Sequence, residues 1–438
     1  MAIQKIKGTK DWYGVELQAN RELQQWMRAL CELYGYKEVE TPEFEKTEVF
    51  KREGDSSDVV NKEMYTFMDA GNRSLTLRPE GTAGIMRAIV ENKLYAQPDL
   101  PLKVFYISSC FRAENPQKGR LRLFHQFGAE ALGVKSPVLD AELICLAKTL
   151  LDCLEIEDYK IVINSIGDSE SRKAYREVLR KHFEPVLGEL CEDCKRRYIQ
   201  NPLRILDCKV DHEHPALVNA PVISQSLNQE STDYFAKLRE TLTRAGVEYE
   251  IDERLVRGLD YYTDTVFEFL STNPGIGAQS ALGGGGRYDD LLAYFGGPAM
   301  SGVGFGMGIE RLLIALAEEG KQFEEESSCD LYLMCLDEAL LPEALALATQ
   351  LRNWRIRVQM DFQARSMKSQ FKSAERSGAK IIAFYGEEEA RTGSLKFKNV
   401  DTQEQVTISD PEGWIDQIYS WLQEPEEEEH EHHDAHLH

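Results

Sequence analysis

The chain predicts an α+β body carrying a long hairpin, broken by a helical insertion and followed by a small α/β domain. Three observations lead there. First, the apolar run Leu102 to Ile107 enters a loop with Asn115-Pro116 and Lys118-Gly119 turn signals, then returns as a second apolar segment, Phe124 to Leu132. Second, residues 168 to 240 change texture, with helical periodicity over Ser169 to Phe183 and Ser231 to Leu242 and Pro, Cys and Asn turns between. Third, strand-like and helix-like segments alternate from Asp330 onward, as in a small α/β unit.

In chain order, residues 15 to 36 read as an amphipathic helix (Leu17, Leu23, Met27, Leu30, Tyr34) ending at Gly35. A strand, Tyr36 to Thr41, follows and stops at Pro42. After the hairpin and the insertion, strands resume at Tyr249 to Glu253 and Thr265 to Leu270. Glu318 to Glu326 reads as a charged linker. The last part reads as strand Asp330 to Cys335, helix Leu341 to Trp354, strand Arg355 to Met360, helix Ser366 to Ser377 and strand Lys380 to Tyr385. A hairpin over Lys396 to Val406 and a closing helix, Gly413 to Leu422, complete it.

A chain of 438 residues suits about three domains. The first residues, Met1 to Gly8, hold no apolar leader, and no run approaches a membrane span, so a cytoplasmic protein without membrane partners is expected. Nine cysteines in a chain this long are read as reduced thiols. The net charge of −23 argues against indiscriminate nucleic-acid binding. The seven acidic residues after Gln423 supply less than a third of it, so the body is acidic too. An RNA partner would need a local basic patch. Arg352, Arg355, Arg357, Arg365, Lys368, Lys372, Arg376 and Lys380 offer one, or else a solvated helix face.

The chemistry concentrates in a few segments. Arg112, Arg120 and Arg122 lie on the hairpin, and guanidinium forks converging on one loop suit a polyphosphate; an arginine-rich surface is the plainer reading. In Ser301 to Leu313, glycines at every second position would leave one strand face bare for a flat ligand. The helix starting near Ile309 would present Arg311 at its positive end. No register of these glycines gives a Rossmann loop.

These segments resemble a known family. F-R-x-E, a loop and R-x-x-x-F (Phe111 to Phe124) resemble motif 2 of class II aminoacyl-tRNA synthetases, and G-x-G-x-E-R-L (Gly306 to Leu312) resembles motif 3. Helix–strand–Pro42 resembles motif 1, which in that family builds a homodimer interface. Thr76-Leu77-Arg78-Pro79-Glu80-Gly81-Thr82-Ala83 resembles a class IIa amino-acid-binding loop. Leu255 to Thr263, holding Arg257-Gly258-Leu259-Asp260-Tyr261-Tyr262, and Leu282 to Asp289, holding Gly283 to Gly286, resemble the two signatures of the bacterial-type histidyl-tRNA synthetases.

The resemblance implies a class II catalytic domain over residues 1–326 with a central antiparallel sheet and a helical insertion at about 168–240. It also implies an α/β anticodon-binding domain over 327–423, with 424–438 a disordered acidic, His-rich tail. It implies ATP, Mg²⁺ bridging its phosphates, L-histidine and histidine tRNA as ligands. Arg112 and Arg257 would flank the α-phosphate and the substrate carboxylate, with Arg311 and Arg120 on the outer phosphates. Phe124 would stack on adenine and Glu114 would meet its amino group. Glu80, Gly81, Thr82 and Gln126 would surround the α-ammonium group. Glu130 and Tyr262 would serve the imidazole, with Tyr261 lining its pocket, and Gln117 would contact the tRNA. One departure is Asn115, where the family's loop usually carries arginine; it removes a charge near the tRNA acceptor end. The alternative is a non-catalytic relative that regulates a histidine-biosynthesis phosphoribosyltransferase. It would be expected to lose the hairpin arginines, the glycine loop and the last domain, all kept here.

The family's chemistry asks for no further metal. Even so, Cys191, Cys194 and Cys208 have the ligand type and spacing of a structural zinc site. His212 and His214 follow closely, the fourth ligand is open, and three packed thiols are the other reading.

Overall fold

The computed structural model describes residues 3–51, 63–208, 210–256, 261–276, 280–321, 323 and 327–423. Arg257 and the 424–438 tail therefore lie outside the described residues. The chain forms two compact units, Met1–Phe323 and Glu324–His438. No helix among the described residues is long and apolar enough to cross a membrane.

In the first unit, α1 (Gly14–Leu33) leads to β1 (Lys37–Glu38), and a small sheet of β2 (Phe44–Lys46), β3 (Thr66–Met68) and β4 (Ser74–Leu77) precedes α2 (Thr82–Glu91). The hairpin is β5 (Leu102–Phe111) and β6 (Leu123–Leu132), followed by α3 (Pro137–Cys153) and β7 (Tyr159–Ser165). The insertion contributes α4 (Ser169–Phe183), α5 (Glu192–Gln200) and α6 (Gln229–Arg244). Then come β8 (Glu250–Ile251), β9 (Thr263–Ser271), β10 (Ala281–Tyr288), β11 (Gly302–Gly308) and α7 (Ile309–Glu318). The main sheet runs β1-β5-β6-β11-β10-β9-β7-β8, antiparallel except for the two short edge strands.

The period of two along a strand divides this sheet into a dry face and a working face. Phe127, Ala129 and Ala131 on β6, with Val303, Phe305 and Met307 on β11, enter the main core with Leu23 and Met27 of α1, Leu143 and Leu150 of α3 and Leu312 of α7. The intervening residues, Gln126 and Glu130 on β6 and Gly304 and Gly306 on β11, face the other way and line a cavity.

Sequence and structure differ at three places in this unit. The strand expected over 36–41 keeps only Lys37 and Glu38 in register with β5, the Val39 amide adding a last bond to the Phe105 carbonyl (2.8 Å). The insertion's last helix continues to Arg244 and buries Leu238 and Leu242 in the main core, so it belongs to the body as much as to the insertion. The Gly283 to Gly286 segment is no loop but a central strand, hydrogen-bonded to β9 on one side and β11 on the other.

The second unit holds β12 (Leu331–Cys335), α8 (Leu341–Asn353), β13 (Val358–Met360), α9 (Met367–Ser377), β14 (Ile381–Tyr385), β15 (Leu395–Asn399), β16 (Gln405–Ile408) and α10 (Pro411–Leu422). Its sheet runs β13-β12-β14-β15-β16, parallel over the first three strands and antiparallel at the hairpin. The basic cluster is divided by its partners. Arg357 pairs with Asp330, Arg365 pairs with Asp361, and Arg352 donates to the Val358 carbonyl. Lys368 and Lys372 instead join Lys398 around a groove of about 680 Å³ floored by Phe371, Ile382 and Val400.

Candidate active site

The cavity over the working face encloses about 550 Å³ and is lined by residues from both ends of the first unit. One end is cationic. Arg112 of the hairpin donates through Nε to the Pro79 carbonyl (3.0 Å), and its guanidinium stacks 5.0 Å from the Phe124 ring centre. Arg311, in the first turn of α7, donates to the Gly119 carbonyl (2.9 Å) and the Ala281 carbonyl (2.6 Å). Carbonyls orient these side chains without cancelling their charge. Burial, reinforced by the nearby Arg112 and Arg120, pulls the Arg311 pKa down to about 10. Such crowded like charge is what an arriving polyanion relieves.

Arg120 is held differently. Its Nε lies 2.6 Å from Glu114 Oε2, and burial raises the Glu114 pKa despite that partner. The residue expected to hold phosphate and the one expected to read adenine thus pair with each other. Gln117 is exposed at the hairpin tip, where Gln117 and Arg120 exchange backbone hydrogen bonds around Gly119 (φ +70°). It does not line the cavity. Lys118 ties this tip to the body through the Gly275 carbonyl (2.7 Å) and Glu318 (2.5 Å).

The other end is acidic and more deeply buried. Glu80 accepts the Thr82 and Ala83 amides (2.7 and 3.0 Å) and so caps α2 while lining the cavity. Gln126 accepts the Gly81 amide (3.1 Å). Glu130 is 1% exposed and accepts from Thr82 Oγ1 (2.7 Å) and the Tyr288 hydroxyl (2.5 Å). Burial pushes its pKa up to about 8, with the charge of Glu80 acting in the same direction. Tyr261 and Tyr262 line the cavity with ring centres 4.8 Å apart, and Tyr261 meets Tyr288 edge-on at 5.8 Å.

The alternating glycines explain this end, though not as a bare face. A Cβ on Gly304 would overlap the Glu130 carboxylate, and one on Gly306 the Gln126 amide. The glycines let two polar side chains of β6 lie across β11, and that occupied surface faces the cavity. Gly81 and Gly128 likewise make room for the Tyr106 ring, whose hydroxyl lies 3.5 Å from Thr82 Oγ1.

Sequence reasoning assigned no role to Tyr288, Glu268, Glu310, Arg197 or Arg204, all of which line the cavity. Tyr288 follows Arg287 within the glycine signature, which was the available signal; nothing in the sequence pointed to Arg197 or Arg204. Glu310 holds the hairpin by accepting the His125 amide (2.9 Å) and pairing with its ring Nδ1 (2.8 Å). Arg287 is fully buried. It pairs with Asp140 of α3 and fixes β10, while Thr265 and Tyr234 donate to the same carboxylate (2.5 and 3.1 Å).

A family model described as Histidyl-tRNA synthetase matches residues 8–312, and one described as Anticodon binding domain matches residues 330–418. The chain belongs to the histidyl-tRNA synthetase family. It is 47% identical to the histidine–tRNA ligase of Bacillus subtilis (strain 168), across 92% of this chain and 95% of that one. It is 48% identical to the ligase of Bacillus velezensis, across 93% and 96%. Among solved structures, that of apo histidyl-tRNA synthetase from S. aureus superposes with a TM-score of 0.81 at 38% identity, covering 95% of this chain and all of that one. As a family member the chain is an aminoacyl-tRNA synthetase, a ligase of translation, with the class II fold and an anticodon-binding domain.

Proposed function

We propose that this cavity activates L-histidine with ATP, giving histidyl-adenylate and pyrophosphate, and passes the histidyl group to the 3′ end of histidine tRNA. The observation that carries the reading is one cavity with a triad of arginines at one end and a buried carboxyl–tyrosine pocket at the other. The substrate carboxylate is ionised at neutral pH, so its in-line attack on the α-phosphate needs no strong base. Catalysis reduces to positioning and to neutralising charge on phosphate oxygens.

Arg112 is suited to the α-phosphate, since its plane is fixed by Phe124 and the Pro79 carbonyl. Arg257 is assigned beside it on the strength of its signature segment. Arg311 and Arg120 take the outer phosphates, Arg120 leaving Glu114 free to meet the adenine amino group over Phe124. Glu80, Gly81, Thr82 and Gln126 form the ammonium site. Glu130 serves one imidazole nitrogen, with Tyr262 as the partner for the other and Tyr261 as a wall. Mg²⁺ neutralises phosphate charge when it arrives with ATP. Glu114 and Glu268 are the carboxylates that would face such an ion, and among the described residues they belong to no metal-holding cluster.

The reading extends to a homodimer through α1 and β1, where Trp26 and Leu33 are exposed apolar side chains, and to a cytoplasmic protein. Gln117 would meet the tRNA acceptor end. Residues 327–423 would meet the anticodon through the lysine-rimmed groove, with 1–326 catalytic and 424–438 a tail. The test is ATP–pyrophosphate exchange with each of the twenty amino acids. Exchange with histidine alone is expected, because a site built to pair a ring nitrogen rejects side chains lacking it by roughly 10⁴-fold. Comparable exchange with a second amino acid would overturn the assignment.

A further inference from the structure

We infer that Cys191, Cys194, Cys208 and Asp211 bind one zinc ion in a tetrahedral site that braces the insertion's wall of the cavity. Their ligand atoms all lie within 4.8 Å of one another. Two spacings identify the geometry. Cys191 Sγ and Cys208 Sγ are 3.7 Å apart, and Cys208 Sγ and Asp211 Oδ2 are 3.6 Å apart. A tetrahedral ion with Zn–S bonds of about 2.3 Å and a Zn–O bond of about 2.0 Å sets those edges at about 3.8 and about 3.5 Å. The space holds one ion and not an iron–sulfur cluster, in which ligands on different irons stand farther apart than the 4.8 Å that spans these four atoms.

The backbone around the four residues is arranged for the same purpose. Cys191 is the N-cap of α5 and Cys194 lies in its first turn, so a single helix start fixes both side chains. The Asp211 amide donates to Cys208 Sγ (3.3 Å), and the Cys191 amide donates to Asp211 Oδ2 (3.0 Å). Hydrogen bonds of this kind orient metal ligands from outside. His214, chemically the more obvious fourth ligand, is engaged elsewhere. Its Nδ1 accepts the Ala216 amide (3.2 Å) and its Nε2 lies 3.4 Å from Glu189.

Binding exchanges three thiol protons for one Zn²⁺, the protons passing to solvent, and nothing is oxidised. The loaded site carries two negative charges, and the chain between its ligands brings in the buried Arg197 and Arg204. Cys194 and Cys208 pack in the same cluster as Leu190, Ile205 and Tyr262, so the metal would fasten a small core that reaches the cavity's tyrosine pair. This proposal is independent of which substrates the cavity takes.

The test uses the full chain, reduced and purified without a metal-affinity step, and compares it with Cys194→Ser, Cys208→Ser and Asp211→Asn. The tail histidines are common to all and cannot produce a difference. About one equivalent of zinc is expected in the wild type, falling at least tenfold in each Cys→Ser variant. Cobalt added to metal-stripped wild type should give a sulfur-to-cobalt charge-transfer band that histidines cannot give. Asp211→Asn should keep the band with at least tenfold weaker cobalt binding. Absence of that band in wild-type protein would overturn the proposal even if a cysteine variant fails to fold. Zinc content unchanged in the Cys→Ser variants would overturn it too.

Discussion

At one end of the cavity, charged groups lean on backbone carbonyls and on each other; at the other, they are sunk among hydroxyls and glycines. Arg112 and Arg311 are oriented by the Pro79, Gly119 and Ala281 carbonyls, with no carboxylate among those partners. Glu130 has lost its water to Thr82, Tyr288 and the β11 backbone, and its proton affinity has risen accordingly. The difference teaches how each end recognises its ligand. The arginine end has the charge to suit any polyphosphate, so selectivity there would have to come from geometry. The carboxyl end meets a ligand only if that ligand replaces the lost solvation.

The sharpest way to break the comparison is to remove charge from the arginine end. Arg112→Ala should slow adenylate formation in single turnover by roughly two to three orders of magnitude, about 3–4 kcal/mol, the scale of one lost transition-state donor. Arg257→Ala is expected to match it. A wild-type rate in either variant would take that residue out of the chemistry.

Next comes the floor of the carboxyl end. In Gly304→Ala the new methyl group meets the Glu130 carboxylate and the Ala129 carbonyl oxygen, the latter at 2.8 Å. Overpacking of about 1–3 kcal/mol should lower kcat/KM for histidine roughly 10- to 100-fold while the KM for ATP stays within about twofold. Equal losses for both substrates would mean that the two ends are not separately built.

Glu130→Gln tests the proton itself. In the folded chain the carboxyl keeps its proton until about pH 8, whereas an ordinary glutamate has lost it near 4.5. Between those values the unfolded chain binds fewer protons than the folded one, so this group's contribution to stability falls as pH rises. Glutamine has no such proton to lose. The variant's melting temperature relative to wild type should therefore climb from about pH 5 to about pH 8. A flat difference would show Glu130 already ionised in the folded chain.

The smallest effect is expected at the hairpin tip. Gln117→Ala should leave ATP–pyrophosphate exchange unchanged and reduce tRNA charging by about threefold, roughly the value of one exposed hydrogen bond. Reduced exchange would place Gln117 nearer the nucleotide than its exposure implies.

The arginine end was legible because its side chains sit on short, contiguous segments with turn signals between them. The carboxyl end was named through resemblance, but its physics was hidden. Tyr288 and Glu130 stand 158 residues apart, and no local pattern announces that glycines on one strand exist to admit a carboxylate from another. The strand limits failed where pairing, not propensity, sets the length, as at Lys37 and Glu38. The sequence leaves the fourth partner of the cysteine cluster open; the turn that returns the Asp211 amide to Cys208 is a three-dimensional fact. In the second unit, eight cations close in sequence read as one patch, yet Asp330 and Asp361 had already claimed two of them.

The Asp140–Arg287 pair has a consequence for inheritance. Both side chains are fully buried and span 147 positions of sequence. Losing either partner strands the other's charge at a cost of about 3–5 kcal/mol, a large part of an ordinary domain's stability. A change of one letter alone carries that penalty, whereas a matched change of both escapes it. Two distant codons thus behave as one heritable character, and the strand that carries the glycine signature is held to helix α3 by that linkage.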